Sequence, residues 1–197
     1  MLYIFFKILL TPFFWLFFRP ILIGRENLAI RGKAIFVCNH ISMVDPAVLA
    51  VMSPRLIHFM AKAELFKNPV GNVLFRLFLA FPVNRKQSDM ASLKNAIRVL
   101  EKGKVFGIFP EGKRAVTDEM DVFEKGAAFL AIRSGAPIVP VYISRNTYEK
   151  MHLRMAVGKP ILVGSLVATT PKNKLIDVVT DEISDAMHVL QSTVESL

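Results

Sequence analysis

The sequence predicts a single α/β layered domain, with a largely parallel central sheet flanked by helices, preceded by an N-terminal apolar helical segment. Three observations carry this. Short β-branched and aromatic runs alternate with amphipathic ones, the order that builds strand–helix layers. The most regular amphipathic runs have their own start and stop residues. The 197 residues suit one domain of ordinary size and are too few for two comfortable ones.

The first element is residues 2–18, whose only charge is Lys7 and which is closed by Arg19-Pro20. As one helix it would be about 25 Å long, slightly short of a hydrocarbon core of about 30 Å. Thr11-Pro12 interrupts it. Proline behind a threonine cap favours a helix start, whereas proline in a helix interior costs about 3 kcal/mol. Two short helices, 2–10 and 12–18, lying within one leaflet are therefore expected, with a single kinked span as the alternative. A secretory signal would need a basic start and a small-residue cleavage site, and bulky Phe, Trp and Leu fill this segment instead. A buried core helix would need covering on every side, because no polar face is present. The division expected is a membrane-associating segment over 1–19 and a folded body over 20–197.

In the body, the candidate strands are residues 21–23, 34–38, 56–60, 105–109, 138–143, 153–157 and 160–163. A helix over 90–102 places Met90, Leu93, Ile97 and Leu100 on one stripe, follows Ser88-Asp89 and stops at Gly103. A helix over 122–134 opens with Asp121 and Glu124 at capping-box spacing and stops at Gly135. Thr170-Pro171 starts a last helix, whose Leu175, Ile176, Val179, Ile183, Met187, Leu190 and Val194 form a core-facing stripe.

Charge narrows the partners. The net charge is +9, with 53% hydrophobic and 21% charged residues. Residues 1–100 hold 13 Lys and Arg against 4 Asp and Glu, whereas residues 101–197 hold 12 of each. All the excess therefore sits on the half with the apolar segment. Such a surface is drawn to anionic lipid headgroups, each basic side chain near the surface contributing roughly 1 kcal/mol. A bilayer is the expected partner, with the chain at the cytoplasmic face of a membrane. Nucleic acid is not expected, since no basic helix, zinc-ligand spacing or aromatic-strand RNA motif is present. The single cysteine, Cys38, excludes a disulfide-stapled secreted scaffold.

The chemistry-bearing segment follows the apolar run 34–38. It reads Asn39-His40-Ile41-Ser42-Met43-Val44-Asp45, then Pro46 and an apolar helix start. Asp45-Pro46 reads as an N-cap plus first helical residue. The loop leaves the carboxyl end of a strand and enters a helix, where α/β sheets place their binding crevices. One turn between His40 and Asp45 lets the carboxylate fold back onto the imidazole, fix its tautomer and leave the other nitrogen free to accept a proton. A surface histidine beside an ordinary cap fits the same spacing. A metal site does not, because no third ligand lies nearby.

Asn39-His40-x-x-x-x-Asp45 resembles the first signature of the glycerol-3-phosphate and 1-acylglycerol-3-phosphate acyltransferase superfamily. Three further blocks follow in that family's order. Lys62-Ala63-Glu64-Leu65 leads into Phe81-Pro82-Val83-Asn84-Arg85, similar to the block that ends in a phosphate-binding arginine. Phe109-Pro110-Glu111-Gly112-Lys113-Arg114 is similar to Phe-Pro-Glu-Gly-Thr-Arg, with lysine for the threonine. Ile138-Val139-Pro140-Val141 resembles the final Val-Pro block. The resemblance spans roughly residues 20–165, and four ordered blocks are far more specific than any one.

The resemblance implies transfer of a fatty acyl group from a thioester of acyl carrier protein or coenzyme A to the free 2-hydroxyl of lysophosphatidate. His40 and Asp45 are the catalytic pair it implies, with Arg85, Glu111, Gly112, Lys113 and Arg114 binding substrate. No metal and no cofactor is implied beyond the thioester co-substrate. Another lysophospholipid or an amino-lipid acceptor keeps the same chemistry, and a non-catalytic lipid-binding protein is the rival from a different class. The bland readings are solvated arginines, a structural Arg–Glu pair at Glu111, and Cys38 as an apolar filler rather than a nucleophile. Backbone N–H groups near the helix start are the candidate oxyanion donors.

Overall fold

The computed structural model describes residues 2–84, 90–115 and 120–197. Seven strands form one sheet: β1 (Ile21–Ile23), β2 (Ala34–Cys38), β3 (Ile57–Lys62), β4 (Ala80–Val83), β5 (Val105–Ile108), β6 (Ile138–Ile143) and β7 (Arg154–Val157). The helices are α1 (Leu2–Phe18), α2 (Asp45–Met52), α3 (Pro69–Leu77), α4 (Met90–Glu101), α5 (Gly126–Ser134), α6 (Asn146–Glu149), α7 (Val163–Thr169) and α8 (Leu175–Glu195). The strand order is β1-β7-β6-β2-β5-β3-β4. From β6 to β4 every pairing is parallel, while β7 runs antiparallel to β6 and carries β1 parallel beside it. The α/β class with a mostly parallel sheet, expected from the alternation of elements, is what the chain adopts.

The sheet is buried on both faces. All five residues of β2 and all six of β6 are inaccessible to solvent or nearly so, as central parallel strands require. One face packs against α4, α5 and α8, where Leu175, Val179, Ile183, Met187, Leu190 and Val194 are buried at helical spacing. The other packs against α2 and part of α1.

Register decides which loops meet. Val37 of β2 lies opposite Ile108 of β5, and Cys38 lies opposite Val141 of β6. The chain after β2, after β5 and after β6 therefore emerges side by side at one edge of the sheet. Gly107 of β5 makes room there, since a Cβ at that position would fall 2.4 Å from the Phe59 ring. Phe59 can thus lean across β5.

Several expectations need correcting. The two short N-terminal helices are one continuous helix, α1, with Pro12 inside it. The Thr11 hydroxyl turns back to the Lys7 carbonyl at 2.6 Å instead of capping a new start. Tertiary packing outweighs the local cost of the proline: Tyr3, Leu10, Phe14 and Phe18 form a stripe against the body, and the Lys7 ammonium binds the carbonyls of Ser53 and Arg55. Among the described residues no helix is long and apolar enough to cross a membrane. The helix expected over 122–134 begins only at Gly126, because Glu124 N–H donates to the Pro110 carbonyl at 2.8 Å and draws the preceding residues across the end of β5. The last helix begins at Leu175, after a turn in which Lys174 N–H bonds the Pro171 carbonyl. The strand expected over 160–163 is a single bridge from Ile161 to Ile138. The expectation of a Ser88-Asp89 start for α4 lies outside the described residues. β4, α3 and α7 were not anticipated as elements. β4 is only four residues long and contains Pro82, which masks its strand signal.

Candidate active site

The loop from Asn39 to Val44 joins β2 to α2. Asn39, 2% exposed, anchors it by extending the β2–β6 pairing with its side chain. Its amide donates to the Ile143 carbonyl at 2.9 Å and accepts the Ile143 N–H at 2.8 Å. His40 follows, and its Nδ1 lies 2.9 Å from Asp45 Oδ2. The imidazole stacks on Phe109, with ring centroids 4.3 Å apart, and Phe109 in turn lies 6.1 Å from Phe59. The ring plane is thereby held from one side while Asp45 holds one nitrogen. Nε2 has no partner among the described residues.

Asp45 does not cap α2. It is the first helical residue, and its carboxylate turns back into the loop. Oδ2 accepts the N–H groups of Ile41 and Ser42, both at 2.7 Å, as well as the His40 ring. Oδ1 accepts the Tyr148 hydroxyl at 2.5 Å. The carboxylate is fully buried, and a buried charge survives only with such a complement of donors. The same bonds remove two of the expected oxyanion donors, and Val44 N–H is engaged with Ser42 Oγ.

The segment after β5 supports the dyad from below. Glu111, 4% exposed, accepts the His40 backbone N–H on Oε1 at 2.9 Å, and Oε2 takes the Asp121 N–H at 3.5 Å. Burial pushes its carboxyl up from the usual range, against the pull of these two N–H groups. The Ala115 N–H bonds the His40 carbonyl at 2.7 Å, so both backbone groups of His40 are held by this segment. Gly112 turns the chain with φ +65°, a left-handed conformation that a side chain resists, and a Cβ there would press on the Glu124 carboxylate.

The cations expected at the site have different placements. Lys113 is exposed and pairs with Asp121 at 3.2 Å. Arg114 is exposed and makes no hydrogen bond or ion pair with another described residue. Arg85, expected as a phosphate ligand, lies outside the described residues. Glu111 sits beneath the histidine rather than beside an arginine, so no Arg–Glu pair forms among the described residues there. Cys38 is fully buried, and burial, followed by the charges of Asp45 and Glu111, pushes its thiol well up. A nucleophilic role needs a lowered thiol instead. His58 bonds the Val105 carbonyl and His188 the Ser184 carbonyl, both away from the dyad. Among the described residues, no group of three His, Cys, Asp or Glu side chains is placed to hold a metal ion.

Two features were not read from the sequence. One is Tyr148. The other is an apolar cavity of about 240 Å³ between α1, α2, α3 and the β3–β4 edge, lined among others by Leu10, Met43, Pro46, Phe59, Phe75 and Ala80. Met43 and Pro46, on either side of Asp45 in sequence, line it, and so does Phe59, which stacks on Phe109 next to the His40 ring; His40 and Asp45 themselves do not line it.

Comparison with known proteins follows the same lines. A family model described as Acyltransferase matches residues 19–144. The 1-acyl-sn-glycerol-3-phosphate acyltransferase of Bacillus subtilis is 30% identical over 181 residues, covering 88% of this chain and 89% of that protein. A protein of the same name from Borreliella burgdorferi is 32% identical over 136 residues, 67% of this chain, which spans about half (54%) of that relative. The crystal structure of PlsC, a 1-acyl-sn-glycerophosphate (LPA) acyltransferase from Thermotoga maritima, matches with a TM-score of 0.69 at 25% identity, covering 93% of this chain and 74% of that one.

Proposed function

The chain belongs to the acyltransferase family and is an acyl-transferring enzyme, and on that premise we propose that it acylates the free 2-hydroxyl of 1-acylglycerol 3-phosphate, giving phosphatidate for phospholipid synthesis. The donor in this reading is a fatty acyl thioester of acyl carrier protein or coenzyme A. The observation that carries it is the 2.9 Å approach of His40 Nδ1 to a fully buried Asp45 carboxylate, with Nε2 unbonded among the described residues. Asp45 keeps the proton on Nδ1 and stabilises the imidazolium; Nε2 accepts the proton of the acceptor hydroxyl. That oxygen attacks the thioester carbonyl as its proton leaves. When the tetrahedral intermediate collapses, the carbon–sulfur bond breaks and the imidazolium returns the proton to the departing thiolate. The acceptor supplies the nucleophile, so no acyl-enzyme is needed.

The apolar cavity beside the dyad suits an acyl chain. Exposed Arg114, with Arg85 and Lys113, is the candidate for the phosphate, which a guanidinium fork matches in shape and charge. Membrane association is part of the same reading. On α1, Ile4, Phe5, Ile8, Phe13, Leu16 and Phe17 face outward, and α3 turns Val70 and Val73 outward nearby. Each such side chain gains about 1.5–3 kcal/mol when fully withdrawn from water. The basic excess of the first 100 residues suits the anionic cytoplasmic leaflet.

An acyl-transfer assay of the purified protein tests this, using a lysolipid panel with and without a phosphate monoester and both thioester donors. Turnover confined to acceptors without the phosphate would refute the acceptor assignment. Absence of turnover with every acceptor and both donors would refute the reaction. Co-sedimentation with anionic vesicles tests the membrane reading independently.

A further inference from the structure

We propose that Tyr148 is a positioning residue of this reaction, whose hydroxyl shares the negative charge of Asp45 and so sets the pH range over which His40 works. The proposal rests on the reading of His40 as the general base. Tyr148 lies 103 positions from Asp45 in sequence, and its hydroxyl donates to Oδ1 at 2.5 Å. It is the only donor found on that oxygen among the described residues, whereas Oδ2 has three.

The turn that presents Tyr148 is itself anchored. Thr147 is fully buried and takes the Arg154 N–H on its hydroxyl; its own N–H donates to the Ser144 carbonyl, and its carbonyl accepts the His152 N–H. Arg145, three positions before Tyr148, donates to the Ala115 carbonyl at 3.2 Å, and the Ala115 N–H donates to the His40 carbonyl. One turn after β6 therefore reaches both loops that make the site. Burial, reinforced by the charge of Asp45, raises the phenol above its ordinary value, so it remains a donor across the working range.

Other titratable or charged groups face the dyad without touching Oδ1. Glu111 lies under the His40 N–H with Asp121 behind it, Cys38 is buried at the end of β2, and Arg145 reaches the site through Ala115. Loss of the phenol hydroxyl leaves Oδ1 unshared in a dry setting. The carboxylate then holds the imidazolium proton more tightly, which moves the acid limb of the rate profile upward.

The test combines the pH dependence of kcat and KM with NMR titration of the His40 ring in the full chain, for wild type, Tyr148→Phe and Tyr148→3-fluorotyrosine. For Tyr148→Phe, the ring titration and the acid limb should rise together, with KM unchanged and kcat lowered only on the acid side of the profile. The fluorinated phenol is a stronger donor and should move both the other way. A ring titration that stays put in both variants overturns the proposal, whatever happens to the rate. Should Tyr148→Phe fail to fold, the fluorinated variant decides alone, since it keeps the ring and the hydroxyl. The titration is read whether or not acyl transfer occurs. Its failure is therefore distinct from failure of the general-base reading, which His40→Ala tests.

Discussion

The loops after β2 and after β5 leave neighbouring parallel strands at the same edge, yet their side chains are treated in opposite ways. After β2, Asn39, His40 and Asp45 turn inward, and every side-chain nitrogen and oxygen of Asn39 and Asp45 has a partner. After β5, Glu111 also turns inward, but Gly112, Lys113 and Arg114 stay exposed. Under the proposed reaction, the contrast separates two tasks. A proton must pass through a fixed geometry, which burial and redundant hydrogen bonds provide. A charged headgroup arrives from water and leaves again, which exposed cations allow.

That comparison can be broken or sharpened by substitution, and the largest effect belongs to the imidazole. His40→Ala should lower kcat about a thousandfold, within the range for a general base. Circular dichroism and vesicle co-sedimentation should remain as in the wild type. Retained turnover would end the division between a chemical interior and a binding rim. Asp45→Asn should cost about a hundredfold in kcat and also stability, because an amide cannot satisfy three donors on one oxygen and the Tyr148 hydroxyl on the other. The expected loss is about 1–3 kcal/mol by urea unfolding, and an unchanged midpoint would contradict the hydrogen-bond set described.

On the rim, if Arg114 binds the phosphate as proposed, Arg114→Ala should raise KM for phosphate-bearing lysolipid about tenfold with kcat retained. Acceptors lacking the phosphate should show no change. A fall in kcat with constant KM would move Arg114 into the chemical group.

Glu111 is the test case between the two regions. Its carboxyl is raised by burial, so its favourable contribution to folding is complete below the ordinary carboxylate value and is lost as pH rises through the raised one. Glu111→Gln keeps an acceptor for the His40 N–H and removes the titration. The stability of Glu111→Gln relative to wild type should therefore be greater at pH 7 than at pH 5. A difference of the opposite sign would show that the N–H bonds outweigh burial. The smallest effect is expected at Cys38. Cys38→Ala should change kcat by less than about threefold, because the buried thiol only fills space, and loss of turnover would revive a covalent route.

Much of this molecule is legible in its residues. The strands at 21–23, 34–38 and 138–143 coincide with the observed β1, β2 and β6, because β-branched runs between turn residues specify a buried strand locally. The α8 stripe is equally local, and so is the pairing of His40 with Asp45, five residues apart. What the sequence could not reveal depends on distant segments meeting. Pro12 remains inside one helix because Ser53 and Arg55 hold Lys7. Residues 122–125 stay out of α5 because Pro110 takes the Glu124 N–H. Glu111 reaches His40 across 71 positions, and Tyr148 reaches Asp45 across 103. Composition and periodicity report what each segment prefers by itself. The register of a parallel sheet decides which segments share an edge, and the partners of a buried carboxylate are settled only there.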